Sequence, residues 1–398
     1  MKYSNKHILL ALNETIFTKN DMKEQYKFSE LPLLKNIANM IYKGEMEYNK
    51  EVSRFVLVHE YQLHLPNYLP NAIKNAIQTT HFIKYKARYT IQGRIFDVHM
   101  YFDGKNKHMH LEIDEKFQNI YIWLYIASNF ASQQCSKYVK INIYLTSHKK
   151  KLPNKYEIID REHANTAFTT SCQTETEIDI FREEEWLKTL IHETFHNMGM
   201  DFSENGSEHT NQLLHNIIPI ETDFRLYETY TECWAEIIHS MFVAYHYVKK
   251  SGSSNIANIF NVVLNNQRRF AVFQCEKVLR HYNMELSDLY KQNKVSIYRR
   301  ANYKENTQVI AYYVLKMVVL YNAKDFILWS TKHNGNSINF NDKPNDNKET
   351  KFVSFIKKRL NMPTMNHMLE KARTYFNDNQ NKKNIITQNL RMTVYEVV

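Results

Sequence analysis

The sequence predicts an α+β fold: a mixed, twisted β-sheet with a backing helix, a histidine-bearing helix closing that half, and a mainly helical second half. Three observations predict it. Between Phe55 and about Ile113 apolar and polar residues alternate, with Ile95, Val98, Met100 and Phe102 set among Arg94, Asp97 and His99, the two-residue period of a half-buried strand. The stretch EEEWLKTLIHETFHNMGMDFS, from Glu183 to Ser203, carries Trp186, Leu187, Leu190, Ile191 and Met198 at helical spacing. From Phe224 onward helical patterns dominate.

Taken in order, residues 1–50 form an N-terminal segment of short helical signals and polar turns. Residues 51–200 form a sheet-rich lobe. In it the Asp103-Gly104 pair reads as a turn before a strand at Met109 to Ile113. A helix from Glu115 to about Gln134 follows, with Phe117, Ile120, Ile122, Trp123 and Ile126 apolar, then a strand from Tyr138 to Leu145. Two short strands are expected near Thr166 to Cys172 and Glu177 to Phe181. In the helix over 183–198, Glu183, Glu184 and Glu185 occupy the first turn, where the macrodipole favours negative charge, and Gly199 stands at the stop position. Residues 201–375 form the helical lobe, with helices near 223–250, 254–282, 305–322 and 350–375 and an Asn- and Asp-rich loop from Asn336 to Lys348. A tail over 376–398 closes the chain.

Composition narrows the function classes. At 398 residues with 43% hydrophobic content the chain can bury a full core. Only 7 glycines, beside abundant Lys, Asn, Ile and Tyr, point to an A/T-rich genome, such as that of a virus or parasite. The net charge of +10 is spread along the chain with only short runs such as His148 to Lys151, which reads as a solvated surface; a nucleic-acid partner is not expected. Cys135, Cys172, Cys233 and Cys275 have no paired spacing and read as reduced thiols of an intracellular protein, in the host cytoplasm or the virion if the source is viral. The apolar run from Val309 to Tyr321 is too short for a membrane span and contains Lys316, so no membrane association is expected. Nothing in the sequence addresses oligomeric state.

The chemistry centres on His192-Glu193-Thr194-Phe195-His196. On a helix the two histidines are i and i+4, on one face and about 5–6 Å apart at Cβ, a reach from which both imidazoles can hold one Zn²⁺. Glu193 is rotated about 100° from His192 and can lean over an open coordination position as a general base. A third protein ligand is needed, and YETYTECWAEIIHS supplies Glu228, Glu232 and Glu236 at i, i+4 and i+8. The small neighbours Thr231 and Ala235 let another helix approach that face.

HExxH on one helix and E-x-x-A-[DE] on a later one resembles the gluzincin branch of the zincin metallopeptidases, which includes thermolysin and neprilysin. Here the second motif is Glu232-Cys233-Trp234-Ala235-Glu236. The resemblance implies Zn²⁺ bound by His192, His196 and Glu232, Glu193 as the base, and Glu236 holding His192 by its free N–H. Glu228 competes for either carboxylate role. It further implies a zincin-like lobe in which an edge strand binds the backbone of a peptide or protein substrate; Asn165 and Ala167, in Asn165-Thr166-Ala167-Phe168, fit that strand. The expected function is therefore zinc-dependent peptide-bond hydrolysis. Two alternatives stand beside it. A metzincin-type protease would need a third ligand at position 202, where this chain has Phe202, with Asp201 one place off register. A zincin fold can also serve as a non-enzymatic binding or virion-associated protein. Tyr230, His239, Tyr245 and His246 lie near the second motif, and none is singled out as the oxyanion-stabilising group.

Overall fold

In a computed structural model the chain is α+β, built on an open mixed sheet of six strands in the order β1-β2-β3-β4-β6-β5. The structure describes all residues except 1, 2, 19, 53, 64, 67, 68, 106–108, 254, 341–346, 380–383 and 398. The strands are β1 (Val56–Val58), β2 (Phe82–Ile91), β3 (Arg94–Asp103), β4 (Tyr138–Leu145), β5 (Ala167–Thr169) and β6 (Glu175–Ile180). β3, β4 and β6 run parallel to one another, while β1–β2, β2–β3 and β5–β6 are antiparallel pairs.

The expected turn at Asp103-Gly104 is present at the end of β3, where Lys105 N–H donates to Asp103 Oδ1 (3.0 Å), and the β2–β3 hairpin turns at the opposite end. Ile91 pairs with Arg94, leaving Gln92 and Gly93 as a two-residue turn with φ of 50° and 79°. Positive φ at both central residues gives the primed turn whose twist matches that of the strands. The expected strand at Met109 to Ile113 is the first turn of the backing helix (Met109–Phe130). Its apolar residues continue at i, i+4 and i+8 into Ile113 and Phe117, a helical period that alternation over five residues does not distinguish from an extended one. The backing helix packs against the helix Pro32–Tyr48 and against β2, and Phe117, Ile120, Trp123 and Ile126 are fully buried between these layers.

The motif helix (Trp186–Asn197) follows β6 directly, and the glutamate helix (Leu226–Ser251) packs across it. Behind them lie Ile256–His281 and a π-helical stretch, Ile310–Leu315, that continues into Lys316–Tyr321. The helix expected over 350–375 is two, Lys348–Lys357 and Pro363–Asp378, because Pro363 sits in a first helical turn, where its missing N–H costs nothing. Of the expected loop from Asn336 to Lys348, residues 341–346 lie outside the described residues, and Lys348 is helical. One apolar cluster runs from Ile8 to Val397 through both halves; Val394, Tyr395 and Val397 of the expected tail are part of it. Among the described residues no helix is long and apolar enough to cross a membrane.

The cysteines also depart from expectation. Cys135 and Cys172 form a disulfide, whereas Cys233 and Cys275 are buried free thiols. Spacing alone does not reveal the pair, because the two cysteines lie 37 positions apart and only the sheet brings them to 4.8 Å between Cα atoms. The disulfide lies against Gly199, which ends the motif helix with φ of +61°. There Met200 N–H donates to the Phe195 carbonyl (2.8 Å) and Gly199 N–H to that of His196 (3.3 Å), the paired bonds of a Schellman turn. A Cβ on Gly199 would meet Cys135 Sγ at 2.7 Å, whereas one on Gly93 would meet nothing within 4 Å. Gly199→Ala is therefore expected to lower stability by about 2 kcal/mol or more, from left-handed strain plus the clash. Gly93→Ala, with strain alone, should cost less; urea melts of the two variants compare them.

Candidate metal centre

The motif helix carries Lys188, His192 and His196 on one face at successive i+4 steps, and the glutamate helix carries Glu228, Glu232 and Glu236 likewise. The helices cross so that the two rows meet. His192 Nε2 and His196 Nε2 lie 3.1 Å apart, and Glu228 Oε2 is 3.2 Å from each. Donor atoms about 2.0–2.1 Å from one zinc at tetrahedral angles would stand about 3.3 Å apart, so this near-equilateral triangle has the dimensions of one face of such a site. Among the described residues, His192, His196 and Glu228 form a buried group able to hold a metal ion.

The carboxylate at that point is Glu228 and not Glu232, the ligand expected from the motif. Glu232 lies one turn further along, 3.2 Å from His192 Nδ1, and accepts from Lys188 Nζ at 2.8 and 3.0 Å. It thus stands where Glu236 was expected, on the far nitrogen of His192. Glu236 is deeper still, 3.4 Å from Lys316 Nζ. On the other imidazole, His196 Nδ1 is hydrogen-bonded to Asp201, which also accepts from Ser203 N–H at 3.1 Å and Ser203 Oγ at 2.8 Å. His196 thus has one nitrogen turned to the centre and the other hydrogen-bonded to a carboxylate, the arrangement that fixes tautomer and ring orientation, while the far nitrogen of His192 lies 3.2 Å from Glu232. Phe202 contributes nothing to the centre; it is buried among Tyr227, Tyr230, Phe340 and Phe352.

The electrostatics favour positive charge here. Burial opposes ionisation of Glu228, but His196 and His192 outweigh it and hold its carboxyl far below the ordinary range. Burial likewise disfavours charge on His196, yet Glu228 and Asp201 raise it well above the usual histidine value. Glu193 behaves differently: burial raises its carboxyl above the ordinary value, while His192 and His196 pull it down. That direction brings a carboxylate closer to the range in which it can accept a proton and release it again near neutral pH.

The centre opens on a cleft of about 260 Å³. Glu193, His192, His196 and Glu228 line it, with Tyr227, Tyr312, Asn165 and the β5 residues Ala167, Phe168 and Thr169. β5 is the sheet edge. Thr166 carbonyl accepts from Phe181 N–H (3.0 Å) and Thr170 N–H donates to Glu177 carbonyl (3.1 Å). Alternation along an antiparallel pair then directs the N–H and C=O of Ala167 and Thr169 away from β6, towards the open edge. Asn197, at the end of the motif helix, donates to Thr169 Oγ1 (3.2 Å) and Thr170 carbonyl (3.3 Å), so the motif helix and the edge strand are tied together. Asn165 lines the cleft, with its Oδ1 taken by Thr307 Oγ1 at 2.7 Å.

Tyr227 and Tyr312 were not found from the sequence. Their rings lie 5.9 Å from that of His196 and 6.1 Å from that of His192. Burial pushes the Tyr227 hydroxyl up to about 12 and that of Tyr312 well above its ordinary value, so both are O–H donors at neutral pH. Tyr312 belongs to the π-helical stretch, a deformation frequent at functional sites and a signal that no spacing rule carries. Of the tyrosines and histidines near the second motif, Tyr230 donates to Ile338 carbonyl (2.7 Å) and His246 contacts Asn119 (2.6 Å), both away from the centre.

Fold and site together define a class: an α+β chain in which two crossed helices gather two imidazoles and a carboxylate beside a sheet edge. No protein-family model, curated protein or solved structure matches the chain.

Proposed function

We propose that the chain is a zinc-dependent peptide-bond hydrolase, with His192, His196 and Glu228 as the protein ligands. The observation that carries the proposal is the 3.1–3.2 Å donor triangle with Glu193 beside it in a cleft bounded by a free strand edge. A zinc ion held by these three groups would acidify a water and polarise a substrate carbonyl. The remaining chemistry belongs to the chain's own side chains. Ala167 and Thr169 offer outward backbone groups on which an extended peptide can pair, fixing the scissile bond over the centre. Glu193 takes the proton of the attacking water and passes it to the leaving amine. Tyr312 and Tyr227 are neutral donors on the cleft wall, suited to the charge that develops on the carbonyl oxygen. Glu232 and Asp201 hold the two imidazoles in orientation.

Purified protein is expected to carry about one zinc per chain by mass spectrometry and to cleave members of a peptide library. Glu193→Gln should retain the metal and lose cleavage by at least a factor of ~100, the lower range for general base catalysis. Absence of zinc after purification in metal-replete buffer would overturn the proposal. Zinc without cleavage in the wild type would leave a metal-holding binding protein in its place.

A further inference from the structure

The helical half carries a second concavity, a groove of about 650 Å³ between Ala323–His333 and Lys348–Lys357, sharing no lining residue with the cleft. Lys332, His333, Lys351, Lys358 and Arg359 line it. The one acid among its described lining residues is Asp325, which is tied to Arg359 at 2.7 Å. Lys332 and Lys358 are exposed and have no ion-pair partner among the described residues. Their charges therefore add to the local potential, and no acid among the described residues pairs with them. His333 registers that potential: burial, then Lys351, Lys332 and Lys348, depress its tendency to take up a proton.

Flat π-surfaces accompany the charges. The Arg359 guanidinium lies 3.8 Å above the centre of the Phe355 ring, and its bond to Asp325 holds it in place. Half-buried Trp329 is steadied by Phe352 at 5.2 Å, and the His333 ring lies 4.9 Å from it. An acidic peptide would use the ammonium groups but has no need of immobilised plates. A single-stranded nucleic acid uses both, setting phosphates against cations and stacking bases on aromatic or guanidinium planes.

We infer that this groove binds single-stranded nucleic acid, with Lys332 and Lys358 on the phosphates and Arg359 and Trp329 as stacking surfaces. The inference is independent of the hydrolase reading, and it revises the expectation from the spread of charge in the sequence. Folding gathers lysines that lie 19 and 7 positions apart onto one groove.

The test is fluorescence anisotropy of the full chain with labelled oligo(dT) and oligo(rU) of about 20 nucleotides, titrated over salt. Affinity should fall with salt, with a log–log slope of about −0.7 for each phosphate contacted. Lys332→Glu combined with Lys358→Glu should weaken binding at least tenfold with an unchanged melting curve, as both side chains are on the surface. Should that variant fold poorly, Lys332→Gln with Lys358→Gln serves, with a smaller loss expected. Arg359→Lys, which keeps charge and removes the plate, should weaken oligonucleotide binding several-fold. Three results would each overturn the inference: no binding by wild type at low salt, equal binding by the wild type and the charge variants, or competition by oligo-glutamate as effective as that by oligo(dT).

Discussion

Glu228→Ala is expected to release zinc and abolish hydrolysis, whereas Glu232→Gln is expected to retain the metal at reduced affinity. The two glutamates are one helical turn apart, and the geometry assigns them different work. Glu228 Oε2 is equidistant, at 3.2 Å, from the two nitrogens that face the centre. Glu232 touches the outward nitrogen of His192 and neutralises Lys188. Removing Glu228 would leave two imidazoles, one donor short of a catalytic site. Loss of a carboxylate behind a ligand imidazole weakens affinity by about 10–100-fold. Glu232→Gln would also leave the Lys188 ammonium buried without its partner, so a lower melting temperature should accompany the weaker binding. Competition with a chromophoric chelator measures both affinities. The assignment is reversed if Glu232→Gln empties the site while Glu228→Ala keeps it loaded.

That pair of glutamates also marks how far the sequence could be read. His192, Glu193 and His196 were legible because one helix fixes their relation, and i to i+4 geometry needs no tertiary knowledge. The strand Tyr138–Leu145 was legible for the same local reason, and the structure keeps its bounds. Choosing Glu228 over Glu232 depends on how far one helix slides along another. That offset is set where the glutamate helix starts, after Arg225 in a left-handed conformation with φ of 42°, and no periodicity encodes it. By its place in the sequence Asp201 is only a ligand candidate one place off register. The Schellman turn at Gly199 instead swings it back onto His196. Tyr312 reaches the cleft from 116 positions beyond His196, a relation that exists only once the core is packed. The expected first turn of the motif helix failed for a related reason. Glu183, Glu184 and Glu185 look like the acidic first turn of a helix, but the helix begins at Trp186, and Glu185 is left-handed at φ 63° and fully buried.

The fate of Glu185 leads to the largest expected stability effect. Its Oε2 lies 2.7 Å from Lys150 Nζ, and both side chains are buried. Its Oε1 accepts the backbone N–H of Met392 at 2.6 Å and also that of Thr393, so one carboxylate anchors the C-terminal segment inside the molecule. Glu185→Gln is expected to cost about 3–5 kcal/mol, because it strands the Lys150 ammonium in the interior. Burial by itself pushes the Glu185 carboxyl up, but Lys150, Lys188 and Arg391 outweigh it and hold it at about 2, against 4.5 ordinarily. A carboxylate whose folded value is depressed stabilises the fold above its unfolded value and loses that contribution as pH falls through the folded one. The displacement corresponds to about 3 kcal/mol, in line with the cost of removing the charge. Urea denaturation of wild type and Glu185→Gln should therefore show a full gap at pH 7 and above, which narrows below pH 4.5 and closes towards pH 2. A gap that stays constant between pH 7 and pH 3 would mean that the glutamine acts through lost hydrogen bonds to Met392 and Thr393, and not through the Lys150–Glu185 charge pair.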